Sequence, residues 1–577
     1  MSSPLTYDSR QVEKARRSRP PLTPRELGVL VLAAIVIVLT PLAWGGTVLW
    51  AVLAAVGFSL AALLLAVGTL SVQRLALVIG FAGIVVGLLA AAQENAAVLS
   101  LRWLEFMAFP CTLFLGAGAS VYFLSGDTRS RPADHCRHDL FTLVPFWAGL
   151  ALFGYFAVQD FNAWGIVIDR EFFWAKQGIP GVDPGTFDIR PLPYINWLPS
   201  GLKAPFSSAE TSQPPMNAWR VILILAGPWL LFCALRCGLR RRRGYVILVW
   251  ISVVTACAFA LGGFLNQYSS GTIMGIKVPE TVTCFGPFIN RNHAGVYLYL
   301  NLALALALTF WHIRRASSNA FRGGPHLVSG FLALYLALFV LLTNSMGASA
   351  VVVALFLFSL PLGYFFGLMD HRDTSREVAF VTFLALILAS LALLFMTDLS
   401  AIAKKVTVKS EAFQKTGADD RAPYRRATWE LATEGGATGR VWMGWGAGSF
   451  GWVSPPYQAK QRELQGPDGK LKMRAIYAHN DWLQMLAEWG VVGLLAVGFF
   501  LYWLAGWVRR ALRAGLAETI PLVCVLLFFS AHGWVELIIW FMPLMISAVL
   551  VTASLLAFVE QSSGERKERS RYERIDG

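Results

Sequence analysis

The hydrophobic positions of this chain fall in long unbroken runs, not in the short alternations of a soluble sheet. Runs of roughly 18 to 24 apolar residues, enough to cross a bilayer as a helix, centre on 27–47, 48–69, 75–93, 104–124, 141–158, 217–235, 245–264, 294–312, 327–343, 347–368, 378–397, 484–507, 517–534 and 537–558. About fourteen transmembrane helices are therefore predicted, and the fold class is an all-α integral membrane protein. The first run follows a basic segment (Arg10 to Arg25), has no small-residue cleavage site after it and leads at once into further apolar runs. It reads as a retained span, not a signal peptide.

The spans divide the chain into a tail (1–26), N-terminal helices (27–158), a loop (159–216), central helices (217–397), a large loop (398–483), C-terminal helices (484–558) and a second tail (559–577). Composition agrees: 56% of the 577 residues are hydrophobic and 15% charged, with a mean hydropathy of +0.55. That is more apolar surface than a soluble core of this size buries, so lipid is the solvent and membrane lipid a partner.

A net charge of +14 in a soluble protein would point to nucleic acid. Here Lys and Arg sit between spans, in alternate connections: Arg74, Arg129 to Arg137, Arg236 to Arg243, Arg314 to Arg322, Arg372 and Arg376, and Arg509 to Arg513. This is a topology signal and implies no nucleic-acid partner. By the positive-inside rule both termini are cytoplasmic, and the extended loops 159–216, 265–293 and 398–483 lie outside. The last holds thirteen Lys and Arg against nine Asp and Glu between Asp398 and Asp481, and reads as a basic, folded external loop. The seven cysteines are scattered and mostly in apolar runs, so they imply neither a disulfide framework nor a metal site. His135 with His138, and the Asp370 to Asp373 cluster, have the wrong spacing for zinc and read as solvated loops. No repeat at a fixed period is evident.

Candidate chemistry gathers at the outer face. At the join of the large loop to the twelfth span, Asn480, Gln484 and Glu488 stand at i, i+4 and i+8, a polar stripe entering an apolar helix. Ionisable groups at membrane depth are functional candidates, although such a stripe also ties helices together by hydrogen bonds. His479 stands at its water-facing end. Upstream, Arg421 and Arg425 form an i, i+4 pair if the segment is helical, with Arg426 beside them, a phosphate clamp or a solvated face neutralised by Asp419 and Asp420. The segment Gly444-Trp-Gly-Ala-Gly-Ser-Phe450 lacks the context of a dinucleotide fold. Gly446 and Gly448 offer either an anion nest or a structural turn. Arg291 and His293 begin the eighth span, where Arg291 is either a helix anchor or a second phosphate ligand. His532 and Glu536 stand i, i+4 near the outer end of the thirteenth.

Together FGPFINRNHAG (285–295), DRAPYRRATW (420–429), GWGAGSF (444–450), YAHNDWLQMLAEWGVVG (477–493) and AHGWVE (531–536) resemble the O-antigen ligase and O-antigen polymerase superfamily of bacterial envelope proteins. The resemblance spans about residues 245 to 545. It implies a GT-C-like polytopic glycosyltransferase in the bacterial inner membrane, working on the periplasmic face without metal or other cofactor. Such an enzyme moves a glycan from a polyprenyl (undecaprenyl) diphosphate carrier to a glycolipid or glycan acceptor. It implies catalytic roles for His479 and for Arg421 or Arg425, the former fitting the local pattern better. Arg291, Asn480, Glu488, Gly446, Gly448 and His532 are the expected substrate-binding residues. Polymerase and protein glycosyltransferase activities stay open within the same chemistry, and a lipid-linked glycan transporter is the rival from another class.

Overall fold

A computed structural model of the chain describes residues 22–42, 49–68, 139–167, 189–204, 216–268, 272–273, 276–277, 285–315, 324–369, 384, 386–388, 421–434, 440–467, 469, 471 and 475–573. The third and fourth expected spans, nearly all of the eleventh, residues 398–420 of the large loop and the clusters at 135–138 and 370–373 lie outside the described residues.

The architecture is helical. Expected spans appear as α1 (Pro24–Leu42), α2 (Leu49–Ala66), α3 (Val144–Phe161), α4 (Ala218–Gly238), α5 (Arg242–Tyr268), α6 (Arg291–Ile313), α7 (Pro325–Leu342) and α8 (Met346–Met369). Among the described residues, eight helices are long and apolar enough to cross a membrane. Local signals set the ends. Thr23 and Glu26 form a reciprocal capping box before α1, with Glu26 N donating to Thr23 Oγ1 and Thr23 N to Glu26 Oε2. The Asn217 side chain accepts from Arg220 N to cap α4. Helix α6 is buried along nearly its whole length and packs against α5, α7, α8 and the C-terminal helices, which makes it the central pillar.

The large loop folds as a roof. It contains α9 (Ala422–Thr433), α10 (Arg440–Met443), α11 (Phe450–Val453) and α12 (Pro455–Ala459). Ala427, Leu431, Phe450, Trp452 and Tyr457 form its own small core. That core also takes Val167 and Leu202 from the 159–216 loop and Ala487 from the helix below. The described part of the 159–216 loop adds a three-stranded sheet to the expected all-α fold. Its strands are β1 (Gly165–Val167), β2 (Ile189–Pro191) and β3 (Leu202–Lys203), with β1 central, antiparallel to β2 and parallel to β3. A two-residue pair, β4 (Thr272–Ile273) and β5 (Ile276–Lys277), lies in the 265–293 loop.

The C-terminal region departs most from the apolar runs. Helix α13 (Asp481–Ala514) begins where expected but breaks at Gly490, whose φ of 65° and ψ of −173° are not helical. The break leaves carbonyls without helical partners, and the roof and α3 take them. Trp445 N donates to Ala487 O, Gly446 N to Glu488 O, and the Tyr155 hydroxyl to Trp489 O. The expected thirteenth span shrinks to α14 (Ile520–His532), only 13 residues, or about 20 Å of helix. The fourteenth starts late, as α15 (Met542–Glu573). Between them, residues 533–541 turn without helix because carboxylates capture their backbone: Asp481 Oδ2 accepts from Ile538 N and Ile539 N, and Glu536 Oε1 from Leu537 N. The apolar run Leu537 to Met542 hides this turn from hydropathy.

Glu488 and the glycine segment explain each other. Glu488 is fully buried, and its two carboxylate oxygens accept from Gly448 N (2.8 Å) and Phe450 N (3.1 Å). Gly446 and Gly448 have positive φ. A Cβ on Gly446 would lie 2.4 Å from Gly201 Cα, and one on Gly448 2.7 Å from the Asn217 carbonyl carbon, so both positions require glycine. The anion nest exists, but the anion in it is the protein's own Glu488. Replacing Glu488 by Ala leaves two buried N–H groups unpaired, at about 1–3 kcal/mol each. Glu488→Ala is expected to expose the roof to limited proteolysis within residues 440–480 and to lower the thermal midpoint, with Glu488→Gln intermediate.

Candidate active site at the membrane boundary

The turn between α14 and α15 carries the group that organises the site. Glu536 is buried, its side chain 4% exposed, yet three other chain segments reach it. Asn292, in the first turn of α6, donates Nδ2–H to Oε2 at 2.6 Å. Arg421, at the N-terminus of α9, donates from Nη2 to the same oxygen at 3.0 Å and from Nη1 to the Val535 carbonyl. His479 Nδ1 faces Oε1 at 3.4 Å, beside Leu537 N. Burial alone would raise the Glu536 carboxyl, but the His479 hydrogen bond and the Arg421 charge outweigh it and hold it well below the usual carboxylate range.

An ionised carboxylate only accepts, so the His479 proton facing it belongs to Nδ1, and Nε2 keeps a free lone pair. The long separation is typical of catalytic pairs before substrate closes on them. His479 is 36% and Arg421 33% exposed, so both present a surface outward while Glu536 lies beneath. The His479 backbone has φ of +51°, one of two described non-glycine residues in the left-handed region. His479 immediately precedes the helix cap, and a left-handed backbone at a non-glycine residue costs roughly 1–3 kcal/mol. The next residue, Asn480, caps α13 by accepting from Leu483 N at 3.0 Å. Tyr424 of α9 stands over the imidazole, ring centroids 6.3 Å apart.

The other expected residues fall into two groups. Arg291 neighbours Asn292 at the start of α6, on the rim of the site. Arg425 lies one turn beyond Arg421 in α9, partly exposed. Arg426 points away, to Gln461 and Glu463. His532 is buried one layer down, its Nδ1 3.4 Å from the Tyr299 hydroxyl and its ring against Gly347, while its carbonyl accepts from Glu536 N. Asn480, Gln484 and Glu488 do form a stripe, but it faces the roof: Gln484 accepts from Ala478 N and donates to Glu488. Gly446 and Gly448 engage Glu488, away from the Glu536 cluster.

Sequence reading named Glu536 without giving it a role, and missed Asn292, Asp481 and Arg220. Arg220 is buried in the first turn of α4 near Tyr477, whose hydroxyl burial pushes up to about 12 against the pull of that charge. Only the fold brings Asn292 to Glu536, Asp481 to the backbone of residues 538 and 539, and Arg220 to Tyr477. Among the described residues, no group of three or more His, Cys, Asp and Glu is placed to hold a metal ion. Below the site an apolar cleft of about 280 Å³ runs between α3, α4, α13 and α15, with Asp481, Gly533 and Ile538 on its upper rim.

Fold and site define a polytopic helical membrane protein in which an arginine and an imidazole converge on a buried carboxylate beneath a folded loop. Residues 331–498 match the family described as O-antigen ligase. The matched stretch contains Arg421 and His479, whereas Asn292 and Glu536 lie outside it. No curated protein matches the chain.

Two outcomes follow. His479→Gly and His479→Ala both remove the imidazole, but glycine accepts the left-handed backbone, so the glycine variant is expected to be the more stable by about 1 kcal/mol. Equal stability would show that the strain is absent. Because Glu536 titrates below its ordinary 4.5, its contribution is complete above that value and is lost as pH falls through the folded one. The stability gap between wild type and Glu536→Gln is expected to hold above about pH 4.5 and to narrow as pH falls below it, read from thermal midpoints in detergent.

Proposed function

We propose that this protein transfers a glycan from a polyprenyl diphosphate carrier to an acceptor glycolipid at the periplasmic face of the bacterial inner membrane, without a metal. The observation that carries the reading is the convergence of Arg421 and His479 on one buried carboxylate, above an apolar cleft. The acceptor hydroxyl gives its proton to His479 Nε2 as its oxygen attacks the anomeric carbon, and the bond from that carbon to the diphosphate oxygen breaks. The leaving diphosphate gathers negative charge, and Arg421, with Arg425 and Arg291 nearby, stabilises it by charge-assisted hydrogen bonds. The prenyl chain has the apolar cleft beside it. Glu536 touches no substrate here: it fixes the imidazole tautomer and holds the Arg421 fork.

A polymerase that joins repeat units would use the same chemistry and differ only in acceptor. A transporter reading draws on the interrupted helix α13, but the carbonyls released at Gly490 are taken by the roof and α3 instead of lining a path.

The test is transfer by purified protein from a synthetic polyprenyl diphosphate glycan, with chelator present. His479→Ala and Arg421→Ala are each expected to lose about 10²- to 10⁴-fold in rate. Full activity in both variants would refute the site, and loss of activity on chelation would refute the metal-free mechanism. In a deletion strain, accumulation of carrier-linked long polymer supports the ligase. Retained single repeats without long chains support the polymerase.

A further inference from the structure

Residues Leu192-Pro-Tyr-Ile-Asn-Trp-Leu-Pro199 carry no charged side chain, and their polar side-chain groups are the Asn196 amide, the Tyr194 hydroxyl and the Trp197 indole N–H. Tyr194, Ile195 and Trp197 are nevertheless 42%, 49% and 76% exposed. The segment is fixed from below. Asn162, the residue after α3, accepts from Ile195 N at 2.8 Å and donates to the carbonyls of Ile195, Leu198 and Pro199. Leu192 N binds the Trp164 carbonyl, and Gly201 N binds that of Gln159. Its aromatic surface is thus held out by design of the backbone.

The surroundings place the segment at the level where the helices end. Phe161, the last residue of α3, is 74% exposed and meets Trp219 edge to face at 5.8 Å. Trp219 is the second residue of the membrane-length helix α4, and its indole donates to Asp160 at 2.9 Å. Arg190 and Lys203, both exposed, lie opposite Ile166 on the two strands that flank β1. An uncharged aromatic tip with cations behind it matches the layering of a membrane interface, where Trp and Tyr sit at headgroup level and basic residues meet phosphate. A sugar platform would need more hydrogen-bonding groups than this tip offers.

We propose that residues 192–199 form an interfacial wedge that enters the headgroup layer of the leaflet adjoining the roof, and so sets the height of the roof above the membrane. The mechanical link is direct. Arg440 donates to Ser200 and stacks over Trp164 and Trp445, each 4.9 Å from its guanidinium carbon. Gly446 packs on Gly201, and Glu488 ties the same glycine segment to α13. The wedge does not depend on the reaction proposed above.

The test uses the full chain in lipid nanodiscs with an environment-sensitive fluorescent amino acid encoded at position 197, and in a second protein at the exposed Glu463. Phospholipid carrying a nitroxide near the headgroup is expected to quench position 197 several-fold more than position 463, with iodide showing the reverse order. Asn162→Ala, which releases the loop, is expected to reduce the lipid quenching at 197. Iodide quenching at 197 equal to that at 463 would overturn the wedge. Protection from both quenchers only when a soluble glycan is added would overturn it in favour of a sugar platform.

Discussion

The arrangement of the candidate site depends on the buried Glu536 carboxylate. Taking a carboxylate out of water is costly unless its lone pairs are filled. Here a guanidinium, an amide, an imidazole and a backbone N–H fill them. Those donors come from the start of α6, the roof, the entry to α13 and the turn before α15. One charge therefore selects a single arrangement of four elements that hydropathy alone would leave free to slide. The same contacts give each partner its chemical posture: imidazole with a fixed tautomer, guanidinium with one side held and one side outward.

A second buried carboxylate repeats the logic a few turns away. Glu488 holds the glycine segment, and Asp481 holds the backbone of residues 538 and 539. Helix α13 thus presents two acidic residues that build structure, and immediately before it the histidine that faces solvent. The break at Gly490 belongs to the same construction, because the carbonyls it frees are the ones the roof uses. Among the described residues bonded to Glu536, Arg421 and His479 keep about a third of their side chains exposed.

Much of this was legible in the sequence. Most helix positions within the described residues, up to the start of α13, and the folding of the large loop follow from apolar length and from the composition of the loop. What escaped the sequence has a common cause: side chains acting across long separations. The stripe of Asn480, Gln484 and Glu488 was visible, but not that its partner is a glycine turn forty residues upstream. Nothing in Val535-Glu-Leu-Ile-Ile-Trp-Phe541 distinguishes a turn from a helix until Asp481 is placed against it. Asn292, two residues after the cap of α6, looks like any helix-start amide until Glu536 arrives.

The central claim is that Arg421 and His479 act on one lipid diphosphate at the membrane boundary. A cryo-EM structure of the full chain with a non-hydrolysable polyprenyl diphosphate glycan tests it most directly. The account predicts diphosphate oxygens within hydrogen-bonding distance of Arg421, the anomeric carbon on the side of His479 Nε2, and the prenyl chain in the cleft between α3, α4, α13 and α15. A diphosphate bound elsewhere, with the Arg421 and His479 surfaces still facing solvent, would contradict it.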